Sequence, residues 1–345
     1  MPTLLTADSQ WNELTGESTL AEVMASVSEL SARGQVGYMR PAPTGFSPLD
    51  DVLNGGVRPG DLLIVGGPSG VGKTIFALQA ARNVVASDPD AHAMYICYEH
   101  DRSHLMMRLL CMESANLGLG DAALTLRRIS AMMLESGSAG LLQRLQVDPV
   151  YAPVVKSMAQ YADRLHLVKA SGVQTNLDQI RLWVRRLNAA GPRPFLVVDY
   201  LQKIPVDLLA PANENEVTTY LAQGLKEMAM SAGIRILAIA AADRFGLQSK
   251  RMRLHDMRGS SAIQYEADIG AVLNNKFSIV SREHLVYNPA HAEAMRNWVV
   301  MSIEKNRSGR SNVDIEFQLD AAHFYLDPKG AYVRDRLIDD RITRE

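Results

Sequence analysis

The chain predicts an α/β fold, a mostly parallel sheet flanked by helices and built around a phosphate-binding loop. Three observations carry this expectation. From about residue 45 onward, short apolar runs alternate with segments of helical periodicity, as happens when crossover helices join parallel strands. The run Gly67-Pro68-Ser69-Gly70-Val71-Gly72-Lys73-Thr74 fills every position of the G-x-x-x-x-G-K-S/T phosphate loop. That run follows the apolar Leu62-Leu63-Ile64-Val65 and opens the helix-compatible Ile75-Phe76-Ala77-Leu78, so strand, loop and helix come in the order the motif requires.

The elements follow in order. Ser18 and Thr19 offer hydroxyl caps and Glu22 an acidic first turn, after which Leu20, Val23, Met24, Val27 and Leu30 recur at helical spacing up to Gly34. An amphipathic helix over about 18–33 cannot bury its stripe alone, so it either folds back or docks on a neighbouring subunit. Gln35 to Thr44 carries Pro and Gly and reads as a connector. The expected organisation is an N-terminal segment 1–44, a nucleotide-binding domain 45–330 and a charged C-terminal tail 331–345. Candidate strands are Leu62–Val65, Ala93–Tyr98, Leu165–Val168, Phe195–Val198, Ile234–Ala240, Gly270–Leu273, Trp298–Ile303 and Val313–Leu319. The Met- and Leu-rich stretch 112–160 reads as helical, with no chemistry placed on it.

Bulk properties narrow the class. A chain of 345 residues with 47% hydrophobic content has ample material for one large or two medium cores. The formal net charge of −2 does not advertise nucleic acid, so such contact must come from a local patch. Two cysteines, Cys97 and Cys111, are too few for a disulfide framework, which fits a reduced, cytoplasmic compartment. Met1 to Glu17 lacks a basic segment followed by an apolar core, and nowhere do about 18 apolar residues run uninterrupted. A soluble, unexported chain without membrane contact is expected.

Chemistry is expected around the phosphates of ATP. Gly67, Gly70 and Gly72 let the backbone N–H groups turn toward phosphate oxygens, and the following helix adds partial positive charge at its N-terminus. Pro68, Ser69 and Val71 complete the loop, Lys73 reaches the β- and γ-phosphates, and the Thr74 hydroxyl ligates Mg2+. Hydrolysis also needs a metal-orienting carboxylate and a group that activates water. Asp199 ends the apolar run Phe195–Val198 at the carboxyl edge of the sheet and suits the first role. Glu99 ends Met94–Tyr98 and suits the second, as general base. A structural carboxylate at a strand end is the plain alternative for each.

Several segments together resemble the RecA-type motor domain of the DnaB family of replicative helicases. Thr44-Gly45-Phe46-Ser47-Pro48-Leu49-Asp50 and Gly55–Leu62 resemble the lead into that family's phosphate loop. Tyr98-Glu99 with Met106–Leu110 resembles its second strand and helix, where the acid is the catalytic glutamate. Asp199-Tyr200-Leu201-Gln202 is similar to its metal-binding strand end, with Leu225-Lys226 at the matching distance beyond. The resemblance covers roughly residues 18–328, patchily across 112–160, and implies a RecA-like P-loop NTPase core with an N-terminal linker helix.

Further expectations come with the resemblance. The family forms hexameric rings with nucleotide between subunits, and Ile303–Gly309 resembles its trans-acting Lys-x-Arg element. Arg307 is then the candidate arginine finger and Lys305 its companion, and the 18–33 helix resembles the linker helix that packs on the adjacent subunit. Arg244, Lys250, Arg251, Arg253 and Arg258 form the strongest local basic cluster, against the single acid Asp256. As a mobile loop such a cluster would track single-stranded DNA through its phosphates, although a solvated loop has the same composition. Arg258, Gly259 and Ser260 resemble the family's DNA-contacting loop.

Two departures temper the resemblance. Where the family presents a Ser-Gln pair whose glutamine senses the γ-phosphate, this chain has Ala240-Ala241-Ala242, and alanine makes no side-chain hydrogen bond. Only about 17 residues precede the linker-like helix, so a stand-alone motor of a replication, mobile-element or specialised system is expected. Two functions remain open: a helicase-like motor in a ring or filament on single-stranded DNA, and a RecA/KaiC-type assembly ATPase acting through protein partners.

Overall fold

The computed structural model describes residues 17–338 except 35, 136–138, 192, 207–212, 245, 281–292 and 336. The expectations for residues 1–16 and 339–345 lie outside the described residues. In chain order the helices are α1 (Leu20–Ala32), α2 (Leu49–Val52), α3 (Lys73–Ser87), α4 (Arg102–Asn116), α5 (Leu126–Leu134), α6 (Leu141–Val147) and α7 (Ala152–Ala159). They continue with α8 (Leu177–Ala190), α9 (Glu214–Ala232), α10 (Ser260–Glu266) and α11 (Lys276–Ile279). The strands are β1 (Leu62–Gly66), β2 (Ala91–Cys97), β3 (Leu165–Lys169), β4 (Arg193–Asp199) and β5 (Arg235–Ile239). Then come β6 (Ile269–Asn275), β7 (Trp298–Asn306), β8 (Val313–Asp320), β9 (Tyr325–Leu326) and β10 (Ala331–Tyr332).

One sheet runs β10-β8-β7-β6-β1-β5-β4-β2-β3, with β9 paired to β8. The pairs from β6 through β3 are parallel, and β7, β8 and β10 extend the sheet in antiparallel fashion. All eight strands expected from the sequence form, because apolar runs bounded by breakers read the same whichever neighbours they acquire. Side chains alternate across the sheet. Leu63, Val65, Phe195 and Val197 join the core beneath α3, whereas Leu62, Ile64, Leu196 and Val198 join the core shared with α8 and α9. Covering both faces is what a parallel sheet requires.

The described residues of the stretch 112–160 are mainly helical, as expected, and form a satellite. Leu110, Leu124, Ile129, Leu145 and Val154 make a small core of their own. The satellite is tied to the phosphate-loop helix through Glu113, which is fully buried. Arg82 of α3 donates from Nε to the Glu113 carboxylate at 2.8 Å and again from Nη2, while Tyr161 donates its hydroxyl at 3.2 Å and Ser157 donates too.

The connector is less of a free linker than its composition suggests. Arg235 at the start of β5 is buried and needs acceptors; its Nη2 donates to the carbonyls of Tyr38 (2.8 Å) and Arg40 (2.5 Å). Ala42 pairs with Val57, and Thr44 is fully buried. At the other terminus, Ala331–Tyr332 of the expected tail pairs with β8, and Asp335 takes an ion pair from Lys276 at 2.6 Å. By contrast α1 closes its N-terminus with a Thr19–Glu22 capping box yet buries nothing, leaving Leu20 75% and Met24 64% exposed.

Removing Glu113 leaves Arg82 without a buried counter-charge, so Glu113→Ala is expected to lower stability by about 3 kcal/mol in urea unfolding. A loss under about 1 kcal/mol would mean that apolar contacts alone hold the satellite.

Candidate nucleotide site and basic segment

The carboxyl ends of β1, β2, β4 and β5 converge on one cleft of about 390 Å3, lined by the phosphate loop, Glu99, Asp199 and Ala240–Ala242 among others. In the strand order β1-β5-β4-β2 the chain passes from β1 over two strands to β2, and such a switch point opens a crevice at the strand ends. The loop keeps its shape through its glycines. Gly72 caps α3 at φ +102°, and Gly67, at φ +145°, lies so close to β6 that a Cβ would meet the Leu273 carbonyl oxygen at 2.5 Å. Both positions exclude a side chain on conformational grounds.

Lys73 opens α3 and donates to the carbonyls of Gly67 and Pro68, each at 2.8 Å. Burial pulls its ammonium below the usual lysine range, against the opposing pull of Asp199 and Glu99. Asp199 is 0% exposed, so it is no solvated strand-end acid. Burial raises its carboxyl above the usual range, and hydrogen bonds from Tyr95 and Thr74 work against the rise. The Tyr95 hydroxyl donates to Oδ2 at 2.6 Å, while Oδ1 is buried without a partner.

That orphaned oxygen beside a threonine hydroxyl fits a Mg2+ ion, which takes few protein ligands and keeps waters and phosphate oxygens. Among the described residues there is no cluster of three or more His, Cys, Asp or Glu side chains of metal-binding form. Glu99 is exposed in the same cleft. Tyr200 hydrogen-bonds to it, and its phenol is pushed up to about 12, first by burial and then by this bond.

Sequence reading does not single out Tyr95, Arg108 or Gln202, which stand at or beside this cleft. Tyr95 sits on the α3 face of β2, and only the β2–β4 register, with Cys97 opposite Asp199, brings its hydroxyl to the carboxylate. Arg108 lines the cleft with its guanidinium 3.0 Å from His100 Nε2 and 4.8 Å over the Phe324 ring. Burial lowers its pKa, while Tyr95, Asp199 and Glu99 oppose the shift. Gln202 falls within a family-like motif that assigns it no role. Alternation along β2 points to Tyr95; nothing in sequence points to Phe324.

Lys305 and Arg307 lie elsewhere. Asn306 pairs with Ile269 and Ile269 with Leu63, so both cations stand at the sheet end where β1 begins. The loop leaves the other end, about 13 Å further along at about 3.3 Å per residue. Here Arg307 bonds Asp268 at 3.1 Å and the Tyr265 carbonyl at 2.8 Å, with its side chain 49% exposed. Lys305 donates to the carbonyls of Gln264 and Tyr265; burial and then Arg307 lower its pKa.

The basic segment departs from expectation. Arg251 is only 4% exposed and bonds Asp314 (2.6 Å) and Ser302 (3.0 Å), and Arg253 bonds Glu304 at 3.1 Å. Acids on β7 and β8, distant in sequence, capture these two cations. Far from a loose loop, the segment holds two 3-10 turns and buries Met252, Leu254 and Met257. Arg244 and Lys250 remain exposed, and Arg258 is half-buried against Glu214 at 2.7 Å. Gly259 caps α10 in the left-handed region at φ +70° and leads into Ser260.

A phosphate loop between a central parallel strand and its helix, with an acidic strand end two strands away, defines a P-loop NTPase of RecA-like fold. Within that class the chain belongs to the DnaB-like helicase C terminal domain family, whose profile matches residues 42–325. It is 26% identical over 261 residues to the replicative DNA helicase DnaC of Bacillus subtilis (strain 168), covering 74% of this chain and 52% of the relative. With the replicative DNA helicase DnaB of Geobacillus stearothermophilus it shares 29% identity over 243 residues, covering 69% and 48%. The chain thus spans about half the length of these curated relatives. Among solved structures, an ATPase domain matches with a TM-score of 0.69 at 19% identity, covering 90% of this chain and 99% of that one. A DnaB-like replicative helicase, studied with its interactions with primase, matches at 0.65 and 19%, covering 90% and 67%. At that identity the likeness shows the shared fold. No helix among the described residues is long and apolar enough to cross a membrane.

The buried pairing of Arg251 has a measurable consequence. Arg251→Ala is expected to cost about 3 kcal/mol of stability, whereas Lys250→Ala stays within about 0.5 kcal/mol. Equal thermal shifts in the two variants would contradict the assignment of one cation to the interior and the other to solvent.

Proposed function

We propose that the chain is a Mg2+-dependent ATPase motor that assembles with copies of itself, as a hexameric ring or a filament, and moves along single-stranded DNA. The observation that carries this reading is the cleft that gathers Lys73, Thr74, Asp199 and Glu99 at one sheet edge. Gly67, Pro68, Ser69, Gly70, Val71 and Gly72 cradle the phosphates, and Lys73 gives up its two loop carbonyls to hold them. Thr74 and Asp199 hold Mg2+, which supplies Lewis-acid neutralisation of developing phosphate charge when bound. Glu99, oriented by Tyr200, accepts the proton of the attacking water.

On this reading one copy is incomplete. Lys305 and Arg307 stand too far from their own loop to neutralise charge there, so they serve the nucleotide of a neighbouring copy, with Arg307 as the finger. The exposed stripe of α1 docks on an adjacent subunit for the same reason that a lone amphipathic helix is unstable. Arg244, Lys250 and the Arg258-Gly259-Ser260 turn are the DNA contacts. Arg251 and Arg253 support that surface from inside rather than touching DNA. Partners in a replication, mobile-element or specialised system, and a cytoplasmic location, complete the proposal.

The alternative, an assembly ATPase of RecA/KaiC type acting through protein partners, is favoured by one feature: the side chains of Ala240–Ala242 in the cleft carry no polar group. DNA dependence separates the two.

Lys73→Ala is expected to abolish ATP turnover, and Glu99→Gln to slow it about 100-fold while retaining nucleotide binding. Undiminished turnover in either variant, followed by phosphate release, would remove that residue from the site. Single-stranded DNA is expected to accelerate wild-type hydrolysis. The Arg244→Ala/Lys250→Ala double variant should lower the salt dependence of oligothymidylate binding by about two in log–log slope; an unchanged slope would leave the DNA path elsewhere.

A further inference from the structure

The nucleotide cleft and the basic segment meet at a single side chain. Gln202 lies three residues beyond Asp199, in the 3-10 turn Leu201–Lys203 that follows β4. Its Oε1 accepts the N–H of Ala241 at 3.0 Å, and its Nε2 donates to the carbonyl of Arg258 at 3.3 Å. Ala241 lines the cleft; Arg258 opens the turn into α10. An N–H at one end and a carbonyl at the other fix which way the amide points, since only oxygen accepts and only nitrogen donates.

The two segments that Gln202 spans also bond directly. The Arg258 N–H donates to the Ala241 carbonyl at 3.0 Å, the Asp243 N–H donates to the Asp256 carbonyl at 2.9 Å, and Ala242 forms an antiparallel bridge with Met257. Leu201, fully buried, anchors the turn that carries the amide, so a shift of Asp199 travels along a short, packed path. At the far end Gly259 holds φ +70°, and a Cβ there would meet Thr218 at 2.4 Å. The turn is therefore packed without a gap against α9, which carries Thr218.

We propose that Gln202 is a positioning residue that couples the nucleotide cleft to the Arg258-Gly259-Ser260 turn, doing from the β4 end what no side chain at position 241 does. The inference rests on the proposed reading of ATP in the cleft and single-stranded DNA on the basic segment. Coupling of this kind is reciprocal: nucleotide must change DNA affinity by the same factor by which DNA changes nucleotide affinity.

The test uses the full chain with Gln202→Met, which keeps the side-chain length and loses both hydrogen bonds, beside Gln202→Ala and wild type. Hydrolysis is measured with and without oligothymidylate, and oligothymidylate affinity is measured with a non-hydrolysable ATP analogue and with ADP. In wild type the two affinities should differ by about 10-fold, and in both variants by less than about 2-fold. Hydrolysis without DNA should remain within about 2-fold of wild type, with DNA stimulation lost. Stimulation retained in Gln202→Met overturns the coupling role alone, as does a loss of hydrolysis without DNA, which would make the amide a prop of the cleft. A wild-type chain whose hydrolysis ignores DNA overturns the broader reading and this inference with it. Melting temperature of Gln202→Met within a few degrees of wild type keeps the comparison on folded protein.

Discussion

The site depends on keeping one carboxylate, Asp199, out of water. A buried charge is costly and survives only with partners. The Tyr95 hydroxyl supplies one at 2.6 Å and Thr74 another, and one carboxylate oxygen is still left over. On the proposed reading a bound cation meets that residual demand, which makes Asp199 more useful to ligand binding than to folding. The same shortage acts on Lys73, whose burial weakens its charge while Asp199 and Glu99 sustain it. The support for Asp199 comes instead from Tyr95, Thr74 and the Arg108 guanidinium, set against its burial beside Glu99.

Strand register turns this local arrangement into a division of labour. The parallel strands end together, so loop, base and metal ligand share one edge of the sheet. β7 returns antiparallel, which carries Lys305 and Arg307 to the opposite edge. There they bond Asp268 and the last carbonyls of α10. On the proposed reading, these contacts are what the two cations exchange for a neighbour's phosphates. Because α10 begins at the Gly259 turn, that exchange would reach the DNA surface from its C-terminal side.

Legibility differed by the range of the interaction involved. The phosphate loop, the strand-end acids and all eight expected strands are set by contiguous residues, and each was readable because its meaning lies within about ten positions. Composition misled where pairing is remote. Five basic residues between Arg244 and Arg258 read as a charged loop, yet Asp314 and Glu304, on strands β8 and β7, take two of them inward. The connector read as a linker because Arg235, nearly 200 residues later in the chain, supplies the buried cation that straps it down. Tyr95 was hidden for a related reason: its role exists only in the register between β2 and β4.

The three alanines at the end of β5 bear on how a motor of this fold can be coupled. A side chain there is one way to report occupancy, but the requirement is only a rigid path with two seats. Here the backbone of Ala241 and Ala242 pairs with Met257 and Arg258, so the cleft wall and the turn into α10 form one short antiparallel patch. Ala241 contributes an N–H and a carbonyl, neither of which depends on its side chain. With Gln202 gripping both strands of that patch, the polar group moves from the end of β5 to the turn after β4. On the proposed reading, nucleotide sensing then falls on a turn three residues beyond the carboxylate that orients the metal.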